Sequence, residues 1–461
     1  MQKLPALACI LLLSACGSDW LGGEDSKKPL EGKRLSVLEG SMMEGRADFK
    51  NNNATAQLPV TLPAPEVNGS WPLQQVSPVS HPALPGGAKG SLATTHAAHG
   101  AGDGTRLSSA PVVVAGKVYT LGADGDISAH SADNIQKELW HTAITSGEGT
   151  QDMMGLGILE HKGEEDFLGG NIAFGGDALI ATTWRGQVVS FDAATGKTRW
   201  QRSVKLPIKS APVIKEGRIF FVTTDNRLYA LDAQDGHTLW MHAGIAQTTS
   251  IFSAAAPAAT ETQVVVLYSS GEIYALDARN GSVKWSDAIE SRNHSRLSGT
   301  SLSGTATPVI YKGRVYASTF DGSLSAFDLA TGHRVWVLDI ASLHAPMVAG
   351  EFLFTLSSEQ ELVCIHTPEG KIKWTVALPA HTDGSSFWGD SKGERIFWSG
   401  PVLAGGKLFV TGSRGSMTIL SPESGKAEGN VAIPNETFLP PVVAGGTMYL
   451  LNNGGELGAV R

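Results

Sequence analysis

One structural unit recurs along most of this chain with a constant internal spacing. In seven copies a proline stands 14 residues before the centre of a tight turn, and in an eighth copy Ile172 replaces the proline ahead of Gly186. The spacing between successive turns varies from 38 to 61 residues. Constant units joined by connections of variable length are typical of repeat architectures. The seven pairs are Pro111 and Gly125, Pro212 and Asn226, Pro257 and Gly271, Pro308 and Gly322, Pro346 and Gln360, Pro401 and Gly415, and Pro441 and Gly455.

Each unit has the pattern of short antiparallel strands joined by tight turns. Apolar and polar side chains alternate in Arg314–Ser318, which is the period of a half-buried strand. Glycine allows the positive φ that a tight hairpin requires, as in Asp124-Gly125. Six residues beyond four of the turns an aspartate recurs, and we interpret it as a turn residue that accepts backbone N–H groups rather than as a metal ligand or an acid. These residues are Asp192, Asp232, Asp277 and Asp328.

A tryptophan stands fourteen residues beyond most of the turns. A tryptophan side chain buries about 150 to 250 Å² and needs a partner for its indole N–H. Because it recurs once per unit, we expect it to seal one unit against the next rather than to form a ligand cage. The residues are Trp200, Trp240, Trp285, Trp336 and Trp374, with Trp140 displaced by one position.

Eight units of four strands predict an all-β fold, an eight-bladed β-propeller of four-stranded antiparallel blades. Ring closure matters because an open row of sheets would leave two exposed edges. The last unit stops at Arg461, six residues beyond the turn at Gly455, and lacks a fourth strand. Residues 58–74 carry apolar side chains but no unit of their own. We therefore predict that this N-terminal segment completes the last blade, with Trp71 as the missing tryptophan.

The first residues have the pattern of an export signal. Residues 1–15 combine one lysine with an apolar stretch too short to span about 30 Å of hydrocarbon, which predicts a lipoprotein signal peptide. Leu13-Ser14-Ala15-Cys16 resembles the lipobox of bacterial lipoproteins, and the resemblance implies acylation of Cys16. Gly17 in place of aspartate implies sorting to the periplasmic face of the outer membrane. The polar residues 16–57 predict a flexible tether, and residues 58–461 the propeller.

Charge and cysteine content exclude two classes of protein. The formal net charge is −8 and no lysine- or arginine-rich run exists, which argues against a nucleic-acid partner. The three cysteines are Cys9, Cys16 and Cys364, without a CxxC pair. A disulfide framework and a cysteine-based zinc site are therefore excluded.

The repeat resembles a known family. ALDAQDGHTLW from Ala230 and ALDARNGSVKW from Ala275 are similar to the tryptophan-docking repeat of quinoprotein-like propellers. Together with eight units and a lipobox, they make the chain resemble the BamB family of lipoproteins in the outer-membrane β-barrel assembly machinery. The resemblance covers about residues 58–461. It implies a non-catalytic scaffold without cofactor or metal, a monomer within the complex, which binds the periplasmic POTRA domains of BamA.

The resemblance also implies a binding surface on two loops between central blades. The first, GIAQTTSIFSAAAP, carries Ile251 and Phe252, and the second, SRNHSRLSGTSLSGTATP, carries Arg296 and Leu297. Arginine and apolar anchors are common in interface hot spots. Ile251 and Phe252 have the alternative role of plugging the junction between blades. Relatives in the family can carry acidic residues shortly before the proline of the second loop, where this chain has Ser303-Gly304-Thr305.

Two other functions remain open as alternatives, a quinone-dependent dehydrogenase and a ligand-sensing propeller. Such dehydrogenases use similar repeats, place a disulfide between adjacent cysteines against the quinone, and bind calcium through oxygen ligands. The adjacent cysteine pair is absent here. His96 and His99 have a spacing that can hold a metal on a helix, but no third ligand is near them in sequence. The glycine-containing segment RLSGTSLSGTATP lacks the lysine that a phosphate-binding loop requires.

Two insertions exceed the minimal loop length. Residues 141–169 are rich in Gly and Glu. Residues 377–399 contain two aromatic pairs that can form a second recognition surface or pack over a blade edge. These aromatic residues are Phe387, Trp388, Phe397 and Trp398.

Overall fold

A computed structural model describes residues 57–73, 81–102, 106–144, 169–246, 255–289, 304–320, 322–382 and 393–461. The described strands form eight four-stranded sheets, which are the blades of an eight-bladed β-propeller, as predicted. In blades 1 to 7 the four strands follow one another in the chain, and each pairs antiparallel with the next. Within the described part of the chain, no helix is long and apolar enough to cross a membrane.

The strands of blades 1 to 4 have the following bounds. Blade 1 consists of β2 (Val112–Val114), β3 (Lys117–Leu121), β4 (Asp126–Ser131) and β5 (Glu138–Ala143); blade 2 of β6 (Gly170–Gly175), β7 (Ala178–Thr183), β8 (Gln187–Asp192) and β9 (Thr198–Ser203); blade 3 of β10 (Val213–Lys215), β11 (Arg218–Val222), β12 (Arg227–Asp232) and β13 (Thr238–Ala243); blade 4 of β14 (Ala258–Ala259), β15 (Gln263–Leu267), β16 (Glu272–Asp277) and β17 (Val283–Ala288).

The remaining strands complete the ring. Blade 5 consists of β18 (Val309–Tyr311), β19 (Arg314–Ser318), β20 (Leu324–Asp328) and β21 (Arg334–Leu338); blade 6 of β22 (Met347–Ala349), β23 (Phe352–Leu356), β24 (Glu361–His366) and β25 (Lys371–Ala377); blade 7 of β26 (Trp398–Ala404), β27 (Lys407–Gly412), β28 (Ser416–Leu420) and β29 (Ala427–Ala432); blade 8 of β30 (Val442–Ala444), β31 (Thr447–Leu451), β32 (Glu456–Val460) and β1 (Ala93–His96).

The repeated aspartates have the structural role that their spacing predicts. In blade 2, Asp192 Oδ1 accepts the backbone N–H groups of Ala194 at 3.1 Å and Thr195 at 2.9 Å. Asp328 makes the same pair of contacts in blade 5, with Ala330 and Thr331. Each carboxylate therefore stabilises the turn that leads from the third strand of its blade to the fourth.

The repeated tryptophans seal blades 1 to 6 each against the following blade, as predicted. Each indole N–H donates to a backbone carbonyl in the turn before the outer strand of the following blade. A glycine of that turn lies against the indole ring, so that a Cβ at Gly281 would fall 2.6 Å from the ring of Trp240. The hydrogen bonds are Trp140 to Ala193 (3.3 Å), Trp200 to Ala233 (3.1 Å), Trp240 to Ala278 (3.2 Å), Trp285 to Leu329 (2.8 Å), Trp336 to Thr367 (2.7 Å) and Trp374 to Pro422 (2.9 Å).

An N-terminal strand completes the last blade, which confirms the predicted mode of closure. The strand is β1, which pairs antiparallel with β32 from Ala93 opposite Ala459 to His96 opposite Glu456. Blade 8 thus has the order β1-β32-β31-β30, with its outer strand taken from the beginning of the chain.

The prediction that residues 58–74 supply this strand is wrong, and so is the position assigned to Trp71. Residues 58–73, which we call the strap, contain four prolines, and proline cannot donate to a strand ladder. Trp71 instead exchanges two backbone hydrogen bonds with Val113 in the inner strand of blade 1. Its side chain is 2% exposed, within a core cluster formed by blades 7, 8 and 1.

The strap crosses one face of the propeller. At its start, the buried Lys373 Nζ donates to the carbonyl of Leu58 and pairs with Glu423 at 2.9 Å. Further along, the Asn68 side chain donates to the Val443 carbonyl of blade 8 at 2.5 Å. The strap therefore connects the outer part of the junction between blades 6 and 7 with the inner strands near the ring axis.

Candidate functional site

The two loops singled out in the sequence begin on the same face of the propeller. Each loop leaves the outer strand of one blade and returns at the inner strand of the next. The first residue after the outer strand bonds to the hairpin turn of its own blade: the Gly244 N–H donates to the Asn226 carbonyl at 2.8 Å, and the Ile289 N–H to the Gly271 carbonyl at 2.8 Å. We call the face of the propeller that carries these hairpin turns and loop ends the connector face. The strap lies on the opposite face, because inner strands run from the connector face to the turns that the strap contacts.

The returning ends of the two loops contact each other directly. The backbone N–H of Ala256 donates to Thr307 Oγ1 at 3.2 Å. Ala256 lies at the returning end of the first loop and Thr307 at that of the second, so these two ends lie side by side where the inner strands of blades 4 and 5 begin. The predicted contact residues Ile251, Phe252, Arg296 and Leu297 lie outside the described residues, as does the predicted lipidation site Cys16.

An apolar cavity of about 120 Å³ adjoins these loop ends. Its walls are the first residues of the inner strands of blades 3, 4 and 5, closed on one side by Leu73 of the strap. The lining residues are Leu73, Ala211, Pro212, Val213, Ala256, Pro257, Ala258, Ala259, Thr307, Pro308 and Ile310.

This lining does not fit a pyrroloquinoline quinone. That cofactor carries carboxylates, which need cationic or multiple hydrogen-bonding partners when they are taken from water. Thr307 has the one side-chain hydroxyl in the lining, and that oxygen already accepts the Ala256 N–H. Cys364 is buried in β24, where burial raises the pKa of its thiol, and no adjacent cysteine exists in the sequence.

Two groups with metal-ligand residue types are explained by local structure. Asp232, Asp235 and His237 approach one another in a surface turn of blade 3. Their atoms already form turn contacts, since Asp235 Oδ1 accepts the backbone N–H of His237 at 2.9 Å and contacts its ring nitrogen at 2.6 Å. His96 and His99 are not on a helix. His96 lies in β1, and His99 lies 3.7 Å from Asp124, so the helical spacing argument does not apply to them.

The aromatic insertion is divided between core and surface. The Trp398 side chain is buried in β26 and donates to the Pro379 carbonyl at 2.8 Å. Phe397 is 37% exposed, and the Arg106 guanidinium lies over both its ring, at 4.7 Å, and the ring of Phe438, at 4.0 Å. Phe387 and Trp388 lie outside the described residues. Trp398 is therefore a core residue of blade 7, and the choice between a recognition surface and packing over a blade edge stays a prediction for the rest of the insertion.

Sequence reasoning missed a group of exposed apolar side chains at the root of the first loop. Ile245 is 63% exposed and Met241 is 46% exposed. The signal was present in the sequence as LWMHAGI, where apolar residues stand on both sides of Trp240. Alternation alone does not show which of them lack a covering neighbour.

Comparison with known proteins gives a family match, a curated relative and a solved structure with a similar fold. The family described as outer membrane protein assembly factor BamB matches residues 123–376 and 375–460. The outer membrane protein assembly factor BamB of Moranella endobia (strain PCIT) is 21% identical over 350 residues, which are 76% of this chain and 84% of that protein. The crystal structure of BamB from Moraxella catarrhalis superposes with a TM-score of 0.60 at 19% identity, covering 77% of this chain and 98% of that chain.

A europium-containing methanol dehydrogenase has a similar fold. It superposes with a TM-score of 0.56 at 13% identity, covering 83% of this chain and 89% of that chain. This likeness concerns the fold alone.

The repeats and the ring place the chain in the class of eight-bladed propellers with quinoprotein-like units. Within that class, it belongs to the BamB family of outer membrane protein assembly factors. The BamB relatives are named as outer membrane protein assembly factors.

Proposed function

We propose that this protein is a non-catalytic scaffold lipoprotein of the outer-membrane β-barrel assembly complex and binds the periplasmic POTRA domains of BamA. It acts as a monomer within the complex. Acylated Cys16 anchors it to the periplasmic face of the outer membrane. Residues 1–15 are removed as the signal peptide, and residues 16–57 serve as the tether.

One observation carries this proposal beyond family membership. The hydrogen bond between Ala256 and Thr307 joins the returning ends of the two connector loops. A rigid support for two neighbouring loops reduces the ordering cost of association, which is the main requirement of a binding scaffold. Ile251, Phe252, Arg296 and Leu297 then form one contact surface for the partner.

Recovery of BamA from solubilised membranes tests the binding role. Wild-type protein should recover BamA, and Phe252→Ala or Arg296→Ala should reduce recovery several-fold, as expected for interface hot spots. Leu139→Ala and Arg279→Ala are matched controls, because Leu139 is exposed on the outer strand of blade 1 and Arg279 in a turn of blade 4. Full recovery with both loop variants would place the interface elsewhere.

Two further measurements address the anchor and the alternative function. Cys16→Ser should abolish incorporation of labelled palmitate and release the protein from the membrane fraction. Incubation of the wild-type protein with pyrroloquinoline quinone and calcium should give no bound quinone spectrum. A tightly bound quinone would overturn the scaffold proposal in favour of a dehydrogenase.

A further inference from the structure

The outer strand of blade 3 differs from the other described outer strands in its exposed face. It is the one strand among them that carries two large apolar side chains classed as exposed, Leu239 at 38% and Met241 at 46%. The corresponding residues around Trp200 in blade 2 are Arg199 and Gln201. Exposed apolar residues grouped in this way mark interaction surfaces more often than isolated ones do.

Ile245 follows the same strand and is the second most exposed large apolar residue among those described, at 63%. Both of its backbone groups are held by side chains of two different blades. Its N–H donates to Glu272 Oε2 of blade 4 at 2.6 Å. Its carbonyl accepts the side-chain amide of Asn226 of blade 3 at 2.7 Å. An apolar side chain is therefore presented to solvent from a fixed backbone.

The two side chains that hold Ile245 are themselves fixed. Glu272 also accepts hydrogen bonds from Ser270 Oγ at 2.9 Å and from the Tyr274 hydroxyl at 3.0 Å. Asn226 is 2% exposed, and its Oδ1 accepts the Ser269 hydroxyl at 2.9 Å. Three hydrogen bonds to one carboxylate keep it in a single orientation.

The backbone just before Ile245 is packed closely against Tyr268. A Cβ on Gly244 would lie 2.3 Å from the ring of Tyr268, so no other residue fits without displacing that ring. Tyr268 is fully buried, and its hydroxyl lies 2.8 Å from His242 Nδ1. The chain thus leaves β13 along a path set by packing and enters residues 247–254 from a defined point.

We propose that Ile245 and Met241 form an additional contact surface for the same partner, and that Glu272 is a positioning residue for Ile245. This inference rests on the proposed function. The occupant is a folded periplasmic domain that presents apolar side chains, because Ile245 belongs to the same loop, in sequence, as the proposed contact residues Ile251 and Phe252. A pre-organised apolar anchor binds at little ordering cost.

Titration of purified POTRA domains of BamA against the full-length protein tests this surface. Ile245→Ser and Met241→Ser should each weaken binding, Ile245→Ser by about tenfold. Val283→Ser is the matched control, because Val283 is 51% exposed on the outer strand of blade 4. Circular dichroism melting should show that all three variants retain the fold.

The role of Glu272 is tested by a pair of variants. Glu272→Ala removes the acceptor for the Ile245 N–H and should weaken binding several-fold. Glu272→Gln keeps a carbonyl oxygen in that place and should restore most of the affinity. Equal losses in both variants, or a loss that follows the melting temperature alone, would reduce Glu272 to a structural role and overturn its assignment.

The outcomes separate this inference from the function on which it rests. If the wild-type protein does not bind the POTRA domains, the proposed function fails. If the wild type binds and Phe252→Ala weakens binding while Ile245→Ser and Met241→Ser do not, only the additional surface is wrong. Self-association that Ile245→Ser abolishes, or binding of an unfolded barrel segment that it abolishes, with POTRA affinity unchanged, would overturn the choice of occupant.

Discussion

Six junctions of the ring and the remaining two are sealed by different means. From blade 1 to blade 7, each junction has an indole that donates to the next blade and packs on a glycine of its turn. In blade 7 the corresponding position is Gly429, opposite Ile419. The last two junctions rely on the strap residue Trp71, and on Tyr449, whose hydroxyl donates to the Ala132 carbonyl of blade 1 at 3.1 Å.

This difference teaches how the fold is encoded. The six indole junctions follow from a repeated local sequence pattern, and each involves only two neighbouring blades. The closing region uses Trp71, a residue without a repeat from the beginning of the chain, in the core of blades 7, 8 and 1, together with Tyr449, whose contact is repeated by Tyr119 and Ala193 between blades 1 and 2. A substitution of Trp71 therefore removes a closing contact that no other blade junction repeats.

The largest effect is expected from removing the closing strand. A chain that begins after His96 lacks both the strap and β1, and it leaves the edge of β32 unpaired. It should give no cooperative unfolding transition, whereas a chain that begins at Gln57 should unfold like the full-length protein. Differential scanning calorimetry of both truncated proteins measures this. A normal transition after loss of β1 would show that the indole junctions alone hold the ring.

Next in size are the tryptophans themselves. Trp71→Ala should lower the free energy of unfolding by about 3 to 5 kcal/mol, the usual range for loss of a buried tryptophan, and Trp240→Ala, at a partly buried position, by less. Chemical denaturation measures both values. Leu239→Ala, at an exposed position, is the control and should cost less than about 0.5 kcal/mol. A negligible cost for Trp71→Ala alone would show that the strap adds nothing to closure.

Acid should destabilise the fold through His344, which lies in the connection between blades 5 and 6. Burial lowers the pKa of His344, just before blade 6, to about 4. The unfolded chain takes up this proton near pH 6.5, so the stability contribution is complete above about pH 6.5 and is lost as the pH falls toward 4. Between pH 8 and pH 5 the loss should be about 2 kcal/mol. Denaturation curves of His344→Gln should lack this component; an unchanged acid dependence would exclude His344 as its source.

The smallest effect is expected where the strap begins. Lys373→Ala removes the ammonium group that binds the Leu58 carbonyl and Glu423. Because Glu423 remains half exposed and hydrated, the cost should be only about 1 to 2 kcal/mol. Lys371→Ala, which removes an exposed ion pair with Glu369, is the control and should cost less than about 1 kcal/mol. Protection of the Val60 amide from hydrogen exchange should fall in the first variant only.

The sequence predicted the repeated part of the fold because the determinants of each blade are local. A proline and a turn at a constant offset mark seven blades, and a tryptophan after the turn marks six, without reference to distant residues. The closing strand was misplaced because Val60, Leu62 and Trp71 have the apolar character of a strand. Their apolar side chains instead pack against other blades, and the strap prolines prevent the ladder that a strand needs.

The candidate site was predicted only at the level of loops. The contact residues Ile251, Phe252, Arg296 and Leu297 came from resemblance and remain a prediction. The presentation of Ile245 depends on a hydrogen bond donated by Asn226 to its carbonyl and on one that its N–H donates to Glu272, residues 19 and 27 positions away in the chain. No periodic pattern in a single sequence reports such contacts.

The pairing of β1 with β32 has a consequence for the order of folding. Most contacts within blades 1 to 7 join residues close in the chain, but His96 reaches Glu456 across 360 positions. Loop-closure entropy and contact order both make this one of the slowest contacts to form. During synthesis from the N-terminus, β1 waits without its partner until the final blade has emerged, so an interval exists in which seven blades are finished and one seam is still open to proteases and chaperones.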